Sequence, residues 1–220
     1  MEEYTRVTRP VQAAERYYSR LSRFYDGFAF SEKRFVRQGL ALLDPLPGEW
    51  ILEIGFGTGY AQKVIAPLVQ DGLSVGLDLS AGMGAVAQKK LSRAGFLDQV
   101  DLLQSDTLPI PLKANSFDGV FTSFTLELFD SPLIPDVLAE CRRVLKPGGK
   151  LVVVSLSKDR HLGLMGRIYE GFHVRYPKLA DCRPIPLIRL VGDAGLRIMA
   201  SITTSMWGIP VGIVLAENNS

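Results

Sequence analysis

Gly55, Gly57 and Gly59 stand at alternate positions directly after the apolar run Ile51-Leu52-Glu53-Ile54, with Glu53 inside that run. Glycine at this spacing lets the backbone turn sharply and lets a ligand approach where a Cβ would obstruct it, so the segment reads as a nucleotide-type cofactor site. A dinucleotide fingerprint needs glycine at the first, third and sixth positions, and Tyr60 occupies the sixth counted from Gly55. That weakens an NAD reading. Nineteen residues past Gly59, Asp78 lies at the end of a second apolar run, where a carboxylate can accept two hydrogen bonds from ribose hydroxyls.

The elements that must position these groups follow from an alternation of strand and helix patterns, the signature of a parallel sheet covered on both faces. Trp50 to Gly55, Ser74 to Leu79, Val100 to Asp106, Phe117 to Phe124 and Lys150 to Leu156 read as strands, the last preceded by the turn Pro147-Gly148-Gly149. Helices are expected from Gly59 to Gln70, from Ser80 to Ala94 and from Leu133 to Leu145. Ser80 is a candidate N-cap, and Gly95 a stop. After a helix from Pro186 to Ala194, Leu196 to Ser205 and Ile209 to Ala216 have no room for a crossover helix between them, which makes them antiparallel neighbours. The expected fold is α/β: a doubly wound, mostly parallel seven-stranded sheet with an antiparallel C-terminal strand and a helical lid.

The arrangement Glu53-x-Gly55-x-Gly57-x-Gly59 with Asp78 resembles the class I S-adenosylmethionine-dependent methyltransferases, over roughly residues 45 to 217. The resemblance implies S-adenosylmethionine as cofactor. Its methionine part would lie against Gly55, Gly57 and Gly59, with Glu53 orienting the loop and Asp78 on the ribose. Leu79 and Met83 would flank the adenine, Asp106 and Thr107 would meet its amino group, and Ser123 and Phe124 would lie near the sulfonium. The segment Tyr18-Ser19-Arg20-Leu21-Ser22-Arg23-Phe24-Tyr25-Asp26 is similar to the opening of the ubiquinone and menaquinone biosynthesis C-methyltransferases, which implies that Tyr25 covers the bound cofactor. Many small-molecule methyltransferases, some acting on phospholipid amines, open in the same way.

Residues 142 to 189 hold eleven Lys and Arg against three Asp and Glu, and residues 41 to 141 hold five against thirteen. The segment 157–185 mixes Arg160, Arg167, Arg175, Lys178 and Arg183 with large aliphatic and aromatic residues, a composition that suits an acidic amphiphile, an anionic membrane surface or a solvated lid. A second subunit is an equal candidate for an apolar lid, and nucleic acid is a poor fit to arginines interleaved with aliphatics. Carbon methylation of a phenolic ring must release a proton, and the lid residues His173 and Tyr169 are the catalytic candidates, with His161, Glu127 and Asp130 behind them. Cys141 and Cys182 have no metal-ligand spacing, so no metal is expected.

The chain reads as one domain: an N-terminal helical cap over 1–44, a cofactor-binding core over 45–156, a substrate lid over 157–185, and a final helix and strand pair over 186–220. No apolar run approaches the length of a membrane span, and Met1-Glu2-Glu3-Tyr4 lacks a secretory n-region, so a cytoplasmic protein is expected, with peripheral membrane contact open to it. Three readings of function stand. They are methyl transfer to a small or lipid-like acceptor such as a quinone-type ring carbon, the same transfer to a phospholipid or other amine, and a methyltransferase-like protein that binds cofactor without turnover.

Overall fold

The computed structural model describes residues 11–22, 31–159 and 182–219. Chain order runs α1 (Val11–Leu21), α2 (Lys33–Leu43), β1 (Trp50–Ile54), α3 (Tyr60–Val69), β2 (Leu73–Asp78), α4 (Ala81–Ala94), β3 (Val100–Gln104), β4 (Phe117–Ser123), α5 (Ile134–Val144), β5 (Leu145–Leu156), α6 (Leu187–Asp193), β6 (Arg197–Met206) and β7 (Ile209–Glu217). The strands form one seven-stranded sheet in the order β3-β2-β1-β4-β5-β7-β6. The first five strands pair in parallel, and β7 runs antiparallel to both β5 and β6. This is the expected mostly parallel sheet with an antiparallel final strand.

Strand order reverses between β1 and β4, so the carboxyl ends of these two strands open a crevice. Both faces of the sheet are buried, because neighbouring strand residues serve opposite layers. Leu52, Ile54, Val120, Leu151 and Val153 pack with α5 and α6, while Ile51, Phe121, Val152 and Val154 pack with α2 and α3.

The helix boundaries follow local chemistry. The Ser80 hydroxyl accepts a hydrogen bond from the Met83 N–H at the start of α4, and Gly95, in the left-handed region, closes it. Strand β5 departs from expectation, since it begins at Leu145 and passes through Pro147-Gly148-Gly149. The register shift between Phe117 and Gly119 accommodates those residues as an irregularity within the strand.

Helix α2 is part of the core. Phe35, Val36, Leu40 and Leu43 of α2 are buried against the sheet, and Gly39 faces it. A Cβ on Gly39 would lie 2.7 Å from Val154 Cγ2 and 2.9 Å from Phe121 Cε2, so the helix sits as close as its backbone allows. Gly39→Leu is expected to lower stability by about 2 to 3 kcal/mol through overpacking, measurable as a fall in the denaturant midpoint at unchanged slope.

The Cys141 thiol is fully buried on α5, and burial pushes it up to about 12, so it is an inert packing residue. No helix among the described residues is long and apolar enough to cross a membrane.

Candidate functional site

A cleft of about 380 Å³ opens over the carboxyl ends of β1 to β4. Glu53, Gly55, Gly57, Asp78, Leu79, Met83, Asp106, Thr107, Ser123 and Phe124 all line it. Ten residues read from separate segments of the sequence thus share one cavity. Tyr25, Tyr169, His161 and His173 lie outside the described residues, as do Arg160, Arg167, Arg175 and Lys178.

The loop after β1 is shaped by two glycine requirements. Gly55 has φ +75°, and a Cβ there would collide with the Thr125 side chain, so the loop and the segment after β4 touch without a gap. Gly59, also in the left-handed region, does not line the cleft. A Cβ on it would lie 2.9 Å from Ala87 Cβ, so its glycine lets α3 approach α4.

The Asp78 carboxylate is bonded directly to the loop. Gly57 N–H donates to Asp78 Oδ2 at 2.8 Å, and Ser80 N–H donates to Asp78 Oδ1 at 2.8 Å. These two bonds fix the carboxylate with lone pairs left over for a ribose diol. Burial raises the Asp78 pKa, and the two N–H groups hold it back down.

Glu53 turns the other way. It is fully buried, its hydrogen bonding comes from Gln62 on α3, and burial with the neighbouring Asp78 charge pushes its carboxyl up to about 8. Its Oε2 has no hydrogen-bond partner although Glu53 lines the cleft. A buried orphan acceptor is costly, and an amino group on a bound ligand that reached it would satisfy it. The donor set therefore fits S-adenosylmethionine: an acceptor for the ammonium, a carboxylate for the ribose, and Leu79 and Met83 for an apolar base.

Past the end of β3, Asp106 and Thr107 lie in the loop rather than on the strand, and Thr107 N–H donates to Asp106 Oδ1 at 2.7 Å. Phe124, with φ +50°, packs edge-on against Phe35 at 6.1 Å between ring centroids, so α2 supports the cleft floor. Tyr18 and Ala14 of α1 close one side of the cavity. That helix is tied to α4, where the Ser19 and Ser80 hydroxyls are 2.9 Å apart and Gly82 N–H donates to Ser19 Oγ.

Two residues change role. Glu127 is fully buried behind the cleft wall, accepting from Ser155 Oγ at 2.9 Å and Leu156 N–H at 3.2 Å, so it does not face a substrate. Burial raises its carboxyl to about 7. Arg183, read as part of a basic lid, is internal: its Nη2 donates to Phe129 O at 2.7 Å and Ser131 Oγ at 3.2 Å, and its charge acts on Glu127. Segment 182–185 is core as well, through the bridge Ser157 to Ile185. Asp130 does line the cleft, although its Oδ1 already accepts from Ser131 N–H at 3.0 Å.

Glu32, just before α2, was not singled out by any motif. It lines the cleft, does not cap its own helix, and has a carboxyl raised to about 7 by burial and by the charge of Glu127.

Folded-state values above the ordinary 4.5 mean that Glu53 and Glu127 hold protons that the unfolded chain releases. Their contribution to stability is complete below the unfolded pKa and is lost as pH rises through about 7 to 8. Urea unfolding of the ligand-free protein is expected to show lower stability at about pH 8.5 than at about pH 6, and Glu53→Gln is expected to remove part of that difference.

A seven-stranded sheet of this order, with a glycine loop after β1 and a carboxylate at the end of β2, is the architecture of the class I S-adenosylmethionine-dependent methyltransferase fold. Residues 51–149 match the family described as a methyltransferase domain. The chain is 34% identical over 147 residues to a malonyl-[acyl-carrier protein] O-methyltransferase of Marinomonas sp. (strain MWYL1), covering 67% of this chain and 52% of that one. It is 29% identical over 184 residues to a demethylmenaquinone methyltransferase of Bacillus cytotoxicus, covering 74% and 76%. The chain spans about half the length of most of the curated relatives it matches. Among solved structures, the cyclase SpnF superposes with a TM-score of 0.80 at 17% identity, covering 96% of this chain and 97% of that one. That likeness concerns the fold alone.

Proposed function

We propose that the protein transfers a methyl group from S-adenosylmethionine to a small, lipid-like acceptor, with a quinone-type ring carbon as the leading acceptor. The observation that carries this reading is the split character of the cleft. Polar groups gather at the ends of β1 to β3, whereas the segment after β4 brings the large apolar side chains Phe124, Leu128, Phe129 and Leu133 beside Thr125 and Asp130. An apolar wall beyond the cofactor residues suits an acceptor with a hydrocarbon or aromatic body. The names of several relatives, demethylmenaquinone methyltransferase and ubiquinone/menaquinone biosynthesis C-methyltransferase, agree with such an acceptor.

S-adenosylmethionine supplies an electrophilic methyl carried by a sulfonium, so the chain's own residues contribute positioning and exclusion of water. Asp78, itself held by the Gly57 N–H group, would hold the ribose of the donor, Glu53 would receive its amino group, and Asp106 with Thr107 would meet the base. Phe124 forms the floor on which the acceptor approaches. Residues 157–185 remain the expected cover for the acceptor and a contact for an anionic membrane surface or a second subunit, although Arg183 no longer counts among its free cations.

A second reading, methylation of an amine, is favoured by one observation: a carboxyl group, Glu32, faces the cleft. Incubation with tritiated S-adenosylmethionine and either a prenylated naphthoquinol or phosphatidylethanolamine vesicles separates the two. Label in the quinol supports the leading acceptor, and label in the phospholipid supports the amine. If neither is labelled while the donor still binds, the lipid-like acceptor is wrong.

A further inference from the structure

The acidic groups around the cleft fall into two pairs. Glu53 and Asp78 interact with each other at the ends of β1 and β2, in the half that fits the cofactor. Glu32 and Glu127 interact with each other on the other side, where Glu127 is tied to Ser155 and Leu156 at the end of β5. Only Glu32 of that second pair lines the cavity. It sits at the start of α2, whose body is fixed by Phe35 and Val36 in the core, and the Phe35 ring braces Phe124 on the floor. The other charged or titratable groups lining this part of the cavity are Lys33 on the same helix, Tyr60 at the start of α3 and Asp130 after β4, with Arg183 acting on Glu127 from behind.

We propose that Glu32 accepts the proton that the acceptor releases on methylation, and that Glu127 is the positioning residue behind it. This rests on the acceptor reading given above. In the step, the bond from sulfur to methyl breaks and its electron pair stays on sulfur, leaving a neutral thioether. The acceptor's electron pair forms the new bond to the methyl carbon, and the acceptor's proton passes to the Glu32 carboxylate. The positive charge of the sulfonium and the negative charge of the carboxylate are both discharged, so atoms and charge balance.

A base poised near neutrality is what such a step requires, and the Glu32 carboxyl at about 7 meets that requirement. A base works only when deprotonated, so turnover should rise with pH through that value. Removing the Glu127 charge takes away a repulsion that raises Glu32, so its limb should move to lower pH.

The test measures kcat against pH for wild type, Glu32→Gln, Glu32→Asp and Glu127→Gln, with the prenylated naphthoquinol and the phospholipid vesicles as acceptors. S-adenosylhomocysteine affinity is measured alongside. Expected are a loss of about 100-fold or more in kcat for E32Q with product affinity unchanged, partial activity for E32D, and a limb displaced to lower pH for E127Q. An E32Q enzyme within a few-fold of wild type that keeps its pH limb overturns the proposal. If wild type methylates neither probe, the acceptor reading fails by itself, and infrared difference spectra of wild type minus E32Q then decide on Glu32. A carboxyl titrating near 7 supports it as a base, and one titrating in the ordinary carboxylate range overturns it.

Discussion

Asp78→Ala is expected to weaken S-adenosylhomocysteine binding by about 100-fold or more, while leaving the melting temperature within a few degrees of wild type. The Asp78 carboxylate holds the glycine loop through Gly57 N–H and the start of α4 through Ser80 N–H, and its remaining lone pairs face the cleft. Two charge-assisted bonds to ribose hydroxyls, at about 1.5 kcal/mol each, account for that factor without any contribution from the loop. Stability should change little because the lost bonds are offset by release of a desolvated carboxylate. Asp78→Asn keeps one acceptor oxygen and should fall between the two. Calorimetric titration of the three proteins checks the order.

Gly55→Val is expected to have the second large effect, destabilising the fold by about 3 to 5 kcal/mol and abolishing cofactor binding. Two costs coincide at this position. The backbone sits at φ +75°, which a β-branched residue rarely adopts, and the new side chain would occupy the space of Thr125. Thr125 Oγ1 donates to Ser123 O at 3.0 Å, so displacing it also disturbs the floor of the cleft. A melting temperature lowered by about 10 to 15 °C would match that range. A Gly55→Val protein that melts like wild type and still binds S-adenosylhomocysteine would contradict the close approach described here.

The sheet was legible because each of its signals is local. Leu52 and Ile54 alternate with residues of the other layer, Ser80 and Gly95 mark the limits of α4, and the short span between Met206 and Ile209 forces an antiparallel pair. The cofactor side of the cleft was legible for the same reason, since each residue ends a strand pattern. The part of Asp78 in holding the loop was not legible, because the bond from the Gly57 N–H group to the next strand is a tertiary contact. Gln62 draws Glu53 toward α3, whereas the Gly57 N–H group meets Asp78 from the next strand. The core role of α2 had a readable signal in Phe35, Val36, Gly39, Leu40 and Leu43 at helical spacing. The pairing of Glu32 with Glu127 had none, because it is created by α2 crossing β4 and β5 and no local pattern encodes it. Arg183 looked like a surface cation because its burial depends on carbonyl and hydroxyl groups after β4.

The measurement that bears most directly on the central claim is calorimetric titration of the wild-type protein with S-adenosylhomocysteine and, separately, with NAD. The cleft described here predicts micromolar binding of the adenosyl compound with proton release from Glu53, seen as a heat that depends on buffer ionisation, and no binding of NAD. Binding of NAD with none of S-adenosylhomocysteine would contradict the account at its root.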